Sequence, residues 1–148
     1  MLARIFTVIG SLFYLTWAAL HVQAGNAVAR LGRAQHPSMV QARLYQDAWM
    51  LYFAAGAIAL ISLAAIVRQW QPAYWLNLGI AFVTDVSFII FVLGPRYMAL
   101  WPGLQGPLAW AGGLIFSTVG LVLTRQAGPR DSAPSPARTS ATNSSGAS

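Results

Sequence analysis

Cysteine, lysine and glutamate are all missing from this 148-residue chain. Without cysteine there is no disulfide, no thiolate metal site and no catalytic thiol, and the redox compartment leaves no trace in the sequence. Charge is scarce as well: 8% of residues are charged against 57% that are hydrophobic, too few to cover a water-soluble surface. The bilayer is therefore the expected solvent. All nine basic residues are arginine, and they carry the net charge of +6. They stand singly near segment ends and in the C-terminal stretch, with no basic run and no aromatic-interleaved patch. Nucleic acid is thus not an expected partner, and membrane lipid is. The arginine bias, with abundant Ala, Gly and Leu, fits a GC-rich bacterial genome and hence a bacterial inner membrane.

Four apolar segments remain, at about 5–24, 47–67, 74–94 and 107–124, each near the roughly 20 residues that cross a hydrocarbon core of about 30 Å. They predict an all-α polytopic membrane protein, four transmembrane helices in a compact bundle over residues 1–126. A disordered tail rich in Ser, Ala, Pro, Thr and Gly is expected over 127–148. The first segment has one competing reading, a secretory signal peptide cleaved near Val22-Gln23-Ala24. Its apolar stretch exceeds the roughly 7–15 residues of a signal core and carries Tyr14 and Trp17, so an uncleaved helix is expected.

Arg30, Arg33 and Arg43 rule out a fifth crossing in the first connection, where His36-Pro37-Ser38 reads as a break before a short helix leading into span two. The short second connection, RQWQPAY, makes spans two and three antiparallel neighbours. The third, PRYMALWPGLQG, reads as an interfacial cap with Trp101 at headgroup level; Trp49, Trp70, Trp75 and Trp110 also fall close to span ends, as an aromatic belt does. Arg4, Arg68, Arg125, Arg130 and Arg138 lie on one side, against Arg30, Arg33, Arg43 and Arg96 on the other, a five-to-four split that favours cytoplasmic termini.

One carboxylate interrupts the third span, in VTDVSFIIF. Counted at ~1.5 Å per residue, Asp85 lies about 13 Å deep. A central Asp costs roughly 2.5–3.5 kcal/mol on insertion scales, so it is expected to face the bundle interior or a wet cavity. The same count nominates Tyr14, Gly56, and Ser117 or Thr118 as neighbours. With Thr84 beside it and Asn77 two turns away on a similar face, Asp85, Tyr14, Asn77, Thr84 and Ser117 form the candidate ligand or ion site. A purely structural reading is that Asp85 only ties helices together by hydrogen bonds.

His21 lies shallower by about 9 Å on that count, so direct pairing with Asp85 is not expected. It falls instead on the side of Arg43, Asp47, Arg96 and Tyr97, which together predict a polar vestibule, with Arg96 and Tyr97 read also as interfacial anchors. Asp47 is expected to cap the start of span two, with Arg43 four residues before it. Two histidines without glutamate or cysteine make no zinc or di-iron ligand set, so neither metal nor cofactor is expected. There is no hydrolase triad, phosphate loop, redox motif or acid pair, and the chain is not expected to be an enzyme. Small residues recur at helical spacing, as Ala55, Ala59 and Ser62 in span two and as Gly113, Ser117 and Gly120 in span four, and predict close helix packing.

The layout resembles the small four-span bacterial membrane proteins grouped as DoxX-like. The similarity lies in the first span, the polar stretch before ARLYQDAWMLYFAAGAIAL, the polar-bearing third span and the glycine-rich fourth, over most of residues 5–124. Members are mostly uncharacterised, some described beside respiratory or redox systems, so the resemblance implies the architecture and no activity or catalytic residue. The expected function is that of a non-enzymatic accessory or binding subunit whose small-residue faces dock other membrane helices, a second copy, or lipid. The alternative is a small proton- or cation-coupled transporter with Asp85 as its carboxylate and Tyr14, Asn77 and Ser117 along the path. A membrane enzyme acting on a lipid or quinone comes third.

Overall fold

Between Leu2 and Arg33 no proline and no polar cluster interrupts the chain, and it forms one helix, α1 (Leu2–Arg33). The structure is a computed structural model that describes residues 1–68 and 70–127. The expected tail lies outside the described residues, apart from Ala127, which closes the last helix. Gln41 ends α1 by donating its side-chain amide to the carbonyls of Gly32 and Gln35, both at 3.1 Å. Helix α2 (Met39–Arg68) starts at once, its Gln41 amide N–H donating to Ser38 Oγ at 3.3 Å. Ser38 is thus the N-cap, satisfying a first-turn amide that would otherwise go unpaired.

The short helix expected before span two is therefore the first part of α2 itself, and Asp47 lies two turns inside that helix, where it caps nothing. Arg43 does not turn to it, donating instead to Gln46 Oε1 at 2.8 Å. At 32 and 30 residues, α1 and α2 are about 48 and 45 Å long, well beyond the ~30 Å hydrocarbon thickness. Their joined ends form a projecting hairpin, held by Tyr52 Oη donating to Asn26 Oδ1 at 2.8 Å and by Tyr45 against Gly32.

Helix α3 (Pro72–Phe88) begins on proline, whose missing N–H costs nothing in a first turn, and runs on as one widened turn of π-helix, Ile89–Leu93. The end of this helix explains Arg96. Its φ is 62°, its N–H bonds back to Leu93 O, and Tyr97 N–H bonds to Val92 O, both at 3.0 Å. That is the left-handed helix-closing turn usually made by glycine, here made by an arginine. A short helix α4 (Leu100–Gly103) follows, with Trp101 exposed as expected of an interfacial cap, and then α5 (Gln105–Ala127).

These elements give the all-α four-helix bundle that the sequence predicts: four helices are long and apolar enough to cross a membrane. Helix α1 lies along both α2 and α5, and α3 closes the ring by touching α2 and α5. Gly10 sits against the Ser117 backbone, Gly113 against the Tyr14 ring and Gly120 against Thr7, so the small residues of α5 are covered by α1. Ala55 and Ser62 of α2 are buried and Ala59 packs at the edge of the core. Outward, Leu12, Phe53, Leu60, Val83 and Ile115 are exposed, as the lipid-facing side of a multi-pass membrane protein requires.

Candidate functional site

Helix α3 turns a narrow stripe inward, Ala73, Asn77, Ala81 and Asp85, one buried residue per turn. Two alanines let the neighbouring helices come close, which brings polar side chains at 77 and 85 into the bundle. Opposite them, α1 presents Tyr14, Trp17 and His21, spaced by three and four residues and so on one face. Asp85 is fully buried, as is Trp17.

The carboxylate meets α1 through Trp17, whose indole N–H donates to Asp85 Oδ2 at 2.7 Å. One turn on, the His21 ring stacks on the Trp17 ring with centroids 3.5 Å apart. His21 Nδ1 lies 2.9 Å from the Trp17 carbonyl oxygen, and its Nε2 lies 3.6 Å from Asp85 Oδ1. A carbonyl only accepts, so Nδ1 carries the ring proton, and in the neutral imidazole Nε2 presents a lone pair. Asp85 Oδ1 is buried with no hydrogen-bond partner. Two acceptors therefore face one another across a gap that holds no donor. One shared proton, or one donor from a ligand, satisfies both.

Direct His21–Asp85 proximity corrects the expectation drawn from depth. That count took residue 24 as the end of span one, whereas α1 continues to Arg33, so His21 sits well inside the helix, level with Asp85. The predicted grouping of Asp85 with Tyr14, Asn77, Thr84 and Ser117 is divided: Thr84 stays beside Asp85, whereas Tyr14, Asn77 and Ser117 line a separate, smaller cavity. Thr84 Oγ1 and Ser117 Oγ donate to backbone carbonyls of their own helices, Ile80 O at 2.8 Å and Gly113 O at 2.6 Å. Gly56 points away from the bundle, where an added Cβ would meet nothing within 4 Å, and Thr118 pairs with Tyr74. Asn77 does share the Asp85 face and ties α3 to α2, its amide donating to Ser62 Oγ at 3.0 Å. Trp17 was the partner overlooked: a buried indole N–H needs an acceptor, and Asp85 is the carboxylate that falls in the interior of an apolar segment, Asp47 standing at the edge of one.

A cavity of about 860 Å³ opens beside the pair. His21 and Asp85 stand with Thr84 on its polar side; Leu51, Phe88, Phe91 and Val92 make apolar walls, and Met98 and Gly103 of the α4 region cover one end. Met50, Phe53, Val83 and Phe91 line it while being more than half exposed, so its opening faces sideways between α2 and α3, toward the lipid. Gly106 of α5 leaves the room over the pair that a larger residue would fill.

The polar vestibule is only partly assembled. His21 and Asp47 line this cavity, whereas Arg43, Arg96 and Tyr97 are exposed outside it, because Arg43 belongs to the projecting part of α2 and the left-handed turn carries Arg96 away. Among the described residues, no group of three or more His, Cys, Asp or Glu side chains could hold a metal ion. The chain matches no family model, no curated protein and no solved structure. The resemblance to DoxX-like proteins therefore rests on the layout of spans and connections alone.

Proposed function

We propose that this multi-pass protein is a membrane-embedded binding protein that takes an amphiphile from the bilayer through the gap between α2 and α3 and holds its headgroup on His21 and Asp85. The observation that carries this reading is the unpartnered Asp85 Oδ1, buried beside His21 Nε2 at the polar side of a cavity whose walls are otherwise apolar. Two acceptors select a headgroup that donates, above all a protonated amine, whose charge also offsets the carboxylate. Docking other helices through the α5 stripe has less support, since α1 already covers Gly113 and Gly120. We place the protein in a bacterial inner membrane with cytoplasmic termini, on composition and the arginine split.

The test uses protein in nanodiscs and three probes of equal chain length: dodecylamine, dodecanol and dodecanoate. The amine is expected to bind most tightly and the carboxylate not at all. Asp85→Asn, whose amide can itself donate to His21 Nε2, should weaken the amine by about ten-fold or more, the worth of one charge-assisted hydrogen bond. Equal affinity for the amine in both proteins would refute the site. Proton-coupled transport is the second reading, supported by the same gap, which one proton would fill; it requires uptake or efflux in liposomes that Asp85→Asn abolishes.

A further inference from the structure

A second, smaller cavity of about 90 Å³ lies toward the opposite end of the bundle, away from His21 and Asp85. It is lined by Thr7, Ser11, Tyr14, Asn77, Ser117 and Thr124 and reaches exposed Gln71 at the end that carries Met1, Arg68 and Ala127. Two of these side chains are almost wholly buried and incompletely bonded. Tyr14 Oη has no partner, and Asn77 Oδ1 has none while its amide donates to Ser62. Three hydroxyls on the lining, Thr7, Ser117 and Thr124, already donate to carbonyls of their own helices at 3.1, 2.6 and 2.8 Å, which leaves their lone pairs for the cavity. Beside these acceptors the lining offers the hydroxyls of Ser11 and Tyr14 and, at the mouth, the side-chain N–H groups of Trp70 and Gln71. Among the described residues no carboxylate lines it to offset a cation, and its volume admits several waters.

We infer that this cavity is a water-filled inlet that carries solvent from the end bearing Met1 and Ala127 past Asn77, about 8 Å along α3 from its start, to Tyr14, about 18 Å along α1 from its start. Each water there donates to a hydroxyl or amide oxygen and accepts from Tyr14 Oη, so the orphaned atoms are satisfied without moving a side chain. Above it the bundle closes in the layer of Trp17, Ile58 and Ala81, all fully buried. From Asn77 to Asp85 the separation along α3 is about 12 Å. The inlet is independent of any ligand in the larger cavity, and it is tested without one.

The absence of native cysteine makes the chain its own background for thiol accessibility. Ser11→Cys, Ser117→Cys, Thr124→Cys and lipid-facing Ile115→Cys are reconstituted in liposomes with Ag⁺ on both sides, and unblocked thiols are then counted with a maleimide in SDS. Thiolate, the reactive form, survives only where water reaches it, so blocking at 11 and 117 is expected to be at least about a hundred-fold faster than at 115. If Thr124→Cys reacts while 11 and 117 are as slow as 115, solvent stops at the mouth and the inference is wrong. Ser11→Cys alone decides the matter should position 117, which lies against Gly10, not tolerate the change.

Discussion

A methyl group added to Gly106 would lie 3.1 Å from Cε1 of His21 and 3.5 Å from Oδ1 of Asp85. The glycine is where α5 makes room for the pair and for whatever donor joins it. Gly106→Ala is therefore expected to lower amine affinity by about ten-fold, in the range one methyl group is worth in a fitted pocket, while leaving thermal stability nearly unchanged. Isothermal titration in nanodiscs and a melting curve on the same sample separate the two effects. Unchanged affinity would show that the headgroup sits elsewhere.

Asp85 gives a second expectation, through Trp17. In Asp85→Leu the indole N–H loses its only acceptor inside the bundle, and stranding a buried donor costs about 1–3 kcal/mol. In Asp85→Asn the carbonyl still accepts from Trp17 and the new amide donates to His21, so the protein should melt at or above the wild-type temperature. An Asn variant less stable than the Leu variant would contradict the assignment of donors and acceptors at this site.

Two glycines should behave oppositely. At Gly10 a Cβ would lie 2.8 Å from the Ser117 backbone nitrogen, so Gly10→Ala must push α1 and α5 apart, at about 1–3 kcal/mol. At Gly56 a Cβ meets nothing within 4 Å, and Gly56→Ala gains up to about 1 kcal/mol of helix propensity. Detergent melts of the two variants read the difference in sign directly.

The turn between α1 and α2 depends on one hydroxyl and one amide. Ser38→Ala should cost about 0.5–2 kcal/mol, the usual worth of an N-cap. Gln41→Ala, which removes the side-chain bonds to the carbonyls of Gly32 and Gln35 and leaves Gly32 O its backbone bond from the Gln35 N–H, should raise hydrogen exchange at the end of α1 while leaving the amides around Asp85 protected. Equal loosening at both places would mean that the hairpin end and the bundle open together.

The span count was legible because long apolar runs without charge admit few other structures, and the shared face of Asn77 and Asp85 because two helical turns repeat a direction. The true helix ends were harder to see. Arg30, Arg33 and Arg43 mark where the chain leaves hydrocarbon, and a helix that continues into water carries no apolar signal there. The Ser38 and Gln41 spacing, an N-cap signature, was the clue that α2 starts at Met39 and that Asp47 has no cap to make. The His21–Asp85 pairing was lost for the same reason, since depth was measured from the end of a hydrophobic run and not from the end of a helix. Nothing in the sequence marks Gly106, because space above a site is a property of three helices at once.

The projecting hairpin makes the two membrane faces unlike. One face meets a basic helical prow carrying Arg30, Arg33 and Arg43; the other meets Met1 and the end of α5. An arginine count of five against four exerts little pull during insertion. Orientation therefore decides which compartment the prow enters, and a soluble partner that uses Arg30, Arg33 and Arg43 would have to come from that compartment alone.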